Sequence, residues 1–434
     1  MTLSIIDWTS LSDSQRAETL RRPAQKNAAA LLDRVRLIVD TVRARGDDAL
    51  IEFTQRFDGV TLDALEVTAA ENAVAEQALS SEQTAALDRA INNVQRFHEA
   101  QKQPPLRMEI SPGVVCEQIY RPIDAVGLYV PAGTAPLPSA AIMLAVPARI
   151  AGCTTRILCT PPRKDGHADP AVLVAAKRCG ITRVFKVGGA QAIAAMAYGT
   201  QTIPKTDKLY GPGNSWVTAA KMLVSNDAEG AALDLPAGPS EVLVLADDSA
   251  RVDFVAADLL AQAEHSADAQ VVLVTTSRTL ASEVINELAA QMAKLSRGAT
   301  LTQAIEHARL ILVPDLQTAI AVSNTYAPEH LILQIRDPRS IVDRIRNAGS
   351  IFLGPYTPET MGDYCTGANH VLPTYGFSRA FSGLSLADFM KRMTVQELSA
   401  DGLKNLGPTA VTIANLEGLD AHANAVTIRL AALK

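Results

Sequence analysis

The chain has 434 residues, 48% of them hydrophobic and 4% aromatic, enough for roughly three ordinary domains with aliphatic cores. Forty basic against forty-six acidic residues give a net charge of −6, and no block of like charge appears, which excludes nucleic acid and acidic lipid as expected partners and leaves a small molecule. No basic-plus-apolar leader stands at the start and the longest apolar run, Ala140 to Val146, is cut by Pro147 and Arg149, so no membrane span is expected and the chain reads as cytoplasmic.

Residues 1–25 are expected to form a helical arm, and helices are predicted as far as residue 102. Leu31, Leu32, Val35, Ile38, Val39 and Val42 recur at helical spacing and stop at Gly46, while Ser80 and Gln83 have the spacing of a capping box. Pro104-Pro105 ends the helical part. A strand-like Val114–Tyr120 follows, then an apolar strand that runs from Asp124 into a turn at Pro131 to Gly133.

From Val126 to about Phe352 short β-rich runs alternate with helical ones, the pattern of right-handed β-α-β units and parallel, doubly wound sheets. The loop Leu233–Ser240 breaks that rhythm and is the predicted crossing between two sheets. The expected fold is α/β, with two doubly wound, Rossmann-like parallel-sheet domains facing a cleft, plus small helical N-terminal and C-terminal segments. The expected boundaries are 26–128 together with 239–380 for one domain, 129–238 for the other, and 381–434 for a C-terminal extension.

Two glycine turns, Gly188-Gly189-Ala190-Gln191 and Gly211-Pro212-Gly213-Asn214, open helices. Either can present helix N-terminal amides to a phosphate, and either is equally ordinary strand-to-helix architecture. Asp258, Gln262 and His265 lie at i, i+4 and i+7 on one stripe of a helix. Such a stripe fits imidazole and side-chain oxygen ligands for zinc, and it also fits a solvated face.

The stretch Ala321–Ile335 is the predicted centre of the chemistry. Pro328 removes a backbone donor and ends the preceding helix, so Glu329-His330 stands at the mouth of the strand Leu331–Ile335, an acid beside an imidazole that titrates near neutrality. Residues 354–378, rich in Gly and Pro, read as a long functional loop with Asp363 and His370 as potential ligands. Glu417 and His422 begin a helix in the tail, whereas His98, His167 and His307 read as surface residues. Cys116 and Cys153 are expected to be buried and inert; the odd cysteine count and the lack of C-x-x-C argue for reduced thiols. Residues 381–434 are too short for a core of their own, so the apolar faces at Leu384, Leu386, Phe389 and Met390, and at Val426, Ile428, Leu430 and Leu433, are expected to bury against a second copy.

Eight blocks, VGLYVPAG, GGAQAIAAMAYGT, KLYGPGNSWVTAAK, DLPAGPSEVLV, DLLAQAEHS, NTYAPEHL, TPETMGDYCTGANHVLPT and EGLDAHANAV, together resemble the histidinol dehydrogenase family over nearly the whole chain. Ala132 and Trp216 depart from its usual residues, both near the presumed cofactor cleft. The resemblance implies an NAD-dependent, zinc-requiring oxidation of L-histidinol to L-histidine through the aldehyde, or on the same scaffold the oxidation of another small alcohol. It carries zinc onto Gln262, His265, Asp363 and His422, and the acid/base roles onto Glu329 and His330. Ser240, His370 and Glu417 then match substrate contacts, as do the four zinc ligands and His330. Tyr129, Gln191 and Asn214 match NAD contacts, and Asp258 a supporting group. It also implies one zinc per subunit and a homodimer with active sites shared through the tail, with zinc and catalytic residues mostly in the 239–380 half and NAD on 129–238.

Overall fold

The computed structural model describes residues 3–22, 28–132, 135–236 and 238–433. The N-terminal part contains β1 (Ile5–Asp7), α1 (Asp13–Thr19), α2 (Ala28–Arg45), α3 (Asp47–Phe57), α4 (Ala69–Ala78) and α5 (Ser81–Glu99), followed by β2 (Leu106–Ser111) and β3 (Val114–Pro122). The capping box at Ser80 forms, its hydroxyl accepting from Gln83 N while the Gln83 side chain accepts from Ser80 N. The arm is therefore not helical throughout: β1 adds to a parallel sheet edge beside residues 310–312.

The first parallel sheet holds β4 (Ala125–Tyr129), β5 (Thr155–Thr160), β6 (Arg183–Lys186), β7 (Lys208–Tyr210) and β8 (Ala232–Leu233), in the order β6-β5-β4-β7-β8. Helices α6 (Pro138–Ala151) and α7 (Pro170–Arg178) cover one face, and α8 (Gly189–Tyr198) and α9 (Ser215–Ser225) the other. The N-terminal helices add an outer layer on both sides. Val35, Val39, Leu50 and Phe53 of α2 and α3 share a core with α8 and α9, while Ala90, Ile91 and Val94 of α5 share one with α6 and α7. Those helices pack against the helices of the 129–238 sheet, where their apolar stripes find apolar helix surface to cover.

The second parallel sheet is built from β9 (Glu241–Ala246), α10 (Val252–Ala263), β10 (Gln270–Thr275), α11 (Arg278–Met292), α12 (Gly298–Glu306), β11 (Arg309–Leu312), α13 (Leu316–Tyr326), β12 (His330–Gln334) and β13 (Ser350–Leu353). Its order is β1-β11-β10-β9-β12-β13. Strands β9, β10 and β12 are buried along their whole length, as expected of central strands covered by helices on both faces. A short helix, α14 (Glu359–Tyr364), interrupts the segment 354–378 that the sequence suggested was irregular.

The C-terminal extension also departs from the helical expectation. Its first part is β14 (Met390–Leu398), which pairs antiparallel with β3 to give a sheet of order β14-β3-β2, and only then come α15 (Ala400–Leu416) and α16 (Asp420–Ala432). Leu384, Leu386 and Phe389 are buried within this chain, not left for a partner, with the Phe389 ring stacked on Tyr210 at 4.1 Å. What stays open is Leu106, Met108 and Ile110 on β2, Met393 and Val395 on β14, and Ile413, Leu416 and Ile428 on the last two helices. Among the described residues no helix is long and apolar enough to cross a membrane.

Candidate active site

Helix α13 stops where the sequence says it should. Tyr326 is its last residue, Ala327 turns into the left-handed region at φ 56°, and Pro328 follows. Glu329 and His330 then stand, both buried, at the amino end of β12, beside the amino end of β9. A strand start offers backbone groups that no ladder uses. The Glu241 N–H donates to Glu329 Oε2 at 2.8 Å, and the Glu241 carbonyl lies 3.3 Å from His330 Nδ1.

Around this pair the structure gathers Gln262 from the end of α10, His265 just beyond it, and Glu359 and Asp363 from α14. Gln262 is fully buried; its Nε2 lies 3.4 Å from Glu329 Oε2 and 3.3 Å from His330 Nδ1, while its Oε1 has no partner. His265, Glu359 and Asp363 hold their ligand atoms within 4.8 Å of one another, and they are the group of His, Cys, Asp and Glu among the described residues that can hold a metal ion. His330 Nε2 stands 3.7 Å from Asp363 Oδ1, and His370 Nδ1 donates to Asp363 O at 2.7 Å.

The electrostatics follow from crowding carboxylates in a dry site. Burial pushes the Glu329 carboxyl up to about 8, against the opposing pull of His330. Burial pulls the His330 imidazole down, but Glu359, Glu329 and Asp363 outweigh it and hold it well above its ordinary value. Glu359, with Oε2 unpartnered, is raised by burial and by its carboxylate neighbours against the pull of His330. For Asp363 the imidazoles of His330, His370 and His265 overcome burial and hold it low.

Tyr129, Gln191 and Asn214 cluster elsewhere, at the carboxyl ends of β4, β6 and β7. The strand order reverses between β4 and β7, the place where doubly wound sheets open a crevice. The Tyr129 hydroxyl accepts from Gly189 N at 3.0 Å, Gln191 is buried in the first turn of α8, and Asn214 caps α9 by accepting from Trp216 N and Val217 N. Only glycine fits at 211, where an added Cβ would stand 2.1 Å from Tyr129 O. Ser240 lies half-buried just before β9.

A family model described as histidinol dehydrogenase matches residues 20–430. The chain belongs to the histidinol dehydrogenase family. The histidinol dehydrogenases of Xanthomonas campestris pv. campestris (strain 8004) and Vibrio cholerae are 54% and 53% identical over 99% and 98% of this chain, and over the same shares of their own. The crystal structure of histidinol dehydrogenase from Elizabethkingia anophelis superposes with a TM-score of 0.94 at 42% identity, covering 99% of this chain and 98% of that one. An oxidoreductase family therefore accounts for the α/β architecture in which these residues meet.

As in the family reading, Gln262, His265, Asp363, Glu329, His330 and His370 gather in one place. His422 and Glu417 do not belong to the metal-capable group of their own chain: they lie exposed on the α15–α16 hairpin. Asp258 points at Gln334, accepting from its Nε2 at 3.2 Å. His98 is not a surface residue. It is fully buried, its Nδ1 donates to Val94 O at 2.8 Å, and Asn369, beside His370, approaches its Nε2 at 3.5 Å. With Asn93 donating to Cys365 O at 2.8 Å, α5 thus holds the loop that carries Asp363 and His370. Glu359 is the residue that sequence reasoning passed over, although it sits four positions before Asp363, one helical turn away. Cys153 is buried with its thiol pushed up to about 11, whereas Cys116 is half-buried.

Proposed function

We propose that the protein oxidises L-histidinol to L-histidine through the aldehyde, using zinc and two NAD in sequence, as a cytoplasmic homodimer. Membership of the histidinol dehydrogenase family supports the substrate. The observation that carries the chemistry is the buried Glu329–His330 pair set against a metal-capable group with an orphaned amide oxygen beside it.

The donor set fits zinc. Gln262 Oε1 is buried with nothing to accept from, and His265 and Asp363 offer an imidazole and a carboxylate next to it. Gln262, His265 and Asp363 would hold the ion with His422 of a second copy, and Tyr129, Gln191 and Asn214 would contact NAD. When bound, zinc supplies positive charge that offsets the crowded carboxylates and a Lewis-acid anchor for the substrate's imidazole and hydroxyl, and NAD accepts the hydride.

With Nδ1–H given to the Glu241 carbonyl, His330 would take the hydroxyl proton at Nε2 as hydride leaves the carbinol carbon, once the charge of a bound cation offsets the carboxylates that otherwise keep the ring protonated. Glu329 then takes a proton from water as that water adds to the aldehyde, and His330 returns its proton to the former carbonyl oxygen, which gives the diol and frees His330 to act as base again. The raised pKa of Glu329, near the working pH, suits a group that must both gain and lose a proton. His330 takes the diol proton as the second hydride leaves, giving the acid. Ser240, His370 and the second copy's Glu417 would orient the substrate, with His370 fixed by its bond to Asp363 O.

The test is the NADH released per L-histidinol consumed, before chelation, after it, and after zinc is returned. A ratio of two that disappears and comes back supports the reading. A ratio of one, or oxidation of other small alcohols with equal efficiency, overturns it in favour of a different substrate on this scaffold.

A further inference from the structure

Behind the Glu329–His330 pair lies a buried ion pair that the acid/base chemistry does not use. Arg22, from the N-terminal arm, and Glu241, the first residue of β9, have side chains only 7% and 2% exposed. The guanidinium grips both carboxylate oxygens, Nε to Oε2 at 2.5 Å and Nη2 to Oε1 at 2.8 Å. The same Nη2 donates to Tyr326 O at 2.8 Å and reaches Ala327 O at 3.4 Å, while the guanidinium carbon stands 4.0 Å from the centre of the Tyr326 ring.

Arg22 thus grips the segments on either side of the pair, one through a carboxylate and the other through two backbone carbonyls. On one side is Glu241, whose N–H holds the Glu329 carboxylate and whose carbonyl faces His330 Nδ1. On the other is the turn that delivers Glu329. Ala327 sits there at φ 56°, a conformation that a Cβ disfavours and that persists only where its surroundings fix it. Arg22 supplies part of that fixing, and Ser378 Oγ, donating to Ala327 O at 2.9 Å, supplies more. An ion pair this dry is weak evidence for stability as such. It is well suited to setting geometry, because a rigid guanidinium fork can bind a carboxylate and two carbonyls at fixed angles where an ammonium cannot.

We infer that Arg22 is a positioning residue for the oxidation: through Glu241 and the carbonyls of Tyr326 and Ala327 it fixes where the Glu329 carboxylate and the His330 ring stand. The inference rests on the acid/base reading of that pair and adds to it a residue some three hundred positions away in the chain.

The experiment is Arg22→Lys in the full-length, zinc-loaded enzyme, because lysine keeps the charge opposite Glu241 and removes the fork. Expected is a fall of about tenfold or more in kcat for aldehyde oxidation, with KM for the aldehyde and zinc content within about threefold of the parent. Placed on a Glu329→Gln background, the same substitution should cost clearly less in aldehyde oxidation than it does alone, because the part that acts through Glu329 is already lost and only the part that acts through His330 remains. A lowered Tm with full kcat overturns the inference, and so do losses that simply add. Should Arg22→Lys not fold, Glu241→Gln, which weakens the fork from the other side, must show the same split between kcat and KM, and its absence is equally decisive. Full turnover in Glu329→Gln alone would instead overturn the acid/base reading, so the two failures are distinguishable.

Discussion

His330 Nε2 and Asp363 Oδ1 face each other at 3.7 Å, too far for a hydrogen bond, while His330 Nδ1 is within reach of the Glu241 carbonyl at 3.3 Å. The ring is anchored on its Nδ1 side and open on the side that faces the metal-capable group. That asymmetry is what a base working at Nε2 needs, and it separates the duties of His330 from those of Glu329, whose carboxylate is tied to Glu241 N.

The two half-reactions should therefore respond differently. Glu329→Gln is expected to impair aldehyde oxidation more than alcohol oxidation, while His330→Asn impairs both, each by on the order of a hundredfold or more. Single-turnover assays with histidinol and with the aldehyde separate the steps. Small and equal losses would make the pair structural.

Glu359 supplies the second prediction. Glu359→Gln keeps the shape and removes a charge that burial opposes, with one oxygen already unpartnered. The metal-free protein should gain thermal stability, whereas zinc affinity, measured by competition with a chromogenic chelator, should weaken by about tenfold or more, as for lost groups in and around metal sites. Unchanged affinity would remove Glu359 from the metal site.

Asp258 gives a pH dependence of known sign. Burial raises its carboxyl from 3.8 to about 6, with the Gln334 bond opposing. The folded state thus holds the proton more tightly than the unfolded state, so stability is highest below pH 4 for this group and falls as pH rises towards 6. Asp258→Asn should remove that slope and stabilise the protein at pH 7 by up to about 2–3 kcal/mol. Denaturant melts of both proteins at pH 4.5 and 7 decide it, and a wild-type-like slope in the variant would assign the effect elsewhere.

The shared-site dimer is tested by complementation. His422→Ala and Glu329→Gln, each inactive alone, are co-expressed as mixed dimers. If the tail acts in trans, one site of each mixed dimer combines an intact Glu329 with an intact His422, and activity returns. Mixed dimers that form without recovered activity would place the tail in its own chain's site. The exposed apolar side chains of β2, β14 and the α15–α16 hairpin offer the surface such a dimer needs.

Much of this protein was determined by sequence alone, because alternation, capping and turn chemistry act over a few residues. The stop of α13 at Pro328, the start of β12 at His330, the parallel α/β rhythm and the stripe ending at Gln262 and His265 were all set locally, and the eight family blocks added the roles expected of them. Tertiary structure alone decided the rest. A periodic apolar face says that a helix is covered but not by what, and it took the packed chain to set α2 and α3 against α8 and α9, and α5 against α6 and α7. Met390–Leu398 became a strand because β3, far upstream, was there to pair with it. Arg22 meets Glu241 across 219 residues and His98 meets Asn369 across 271. No local pattern encodes such pairs, since a buried charge or imidazole is stable only once the distant group that satisfies it has been brought into place by the packing of the whole chain.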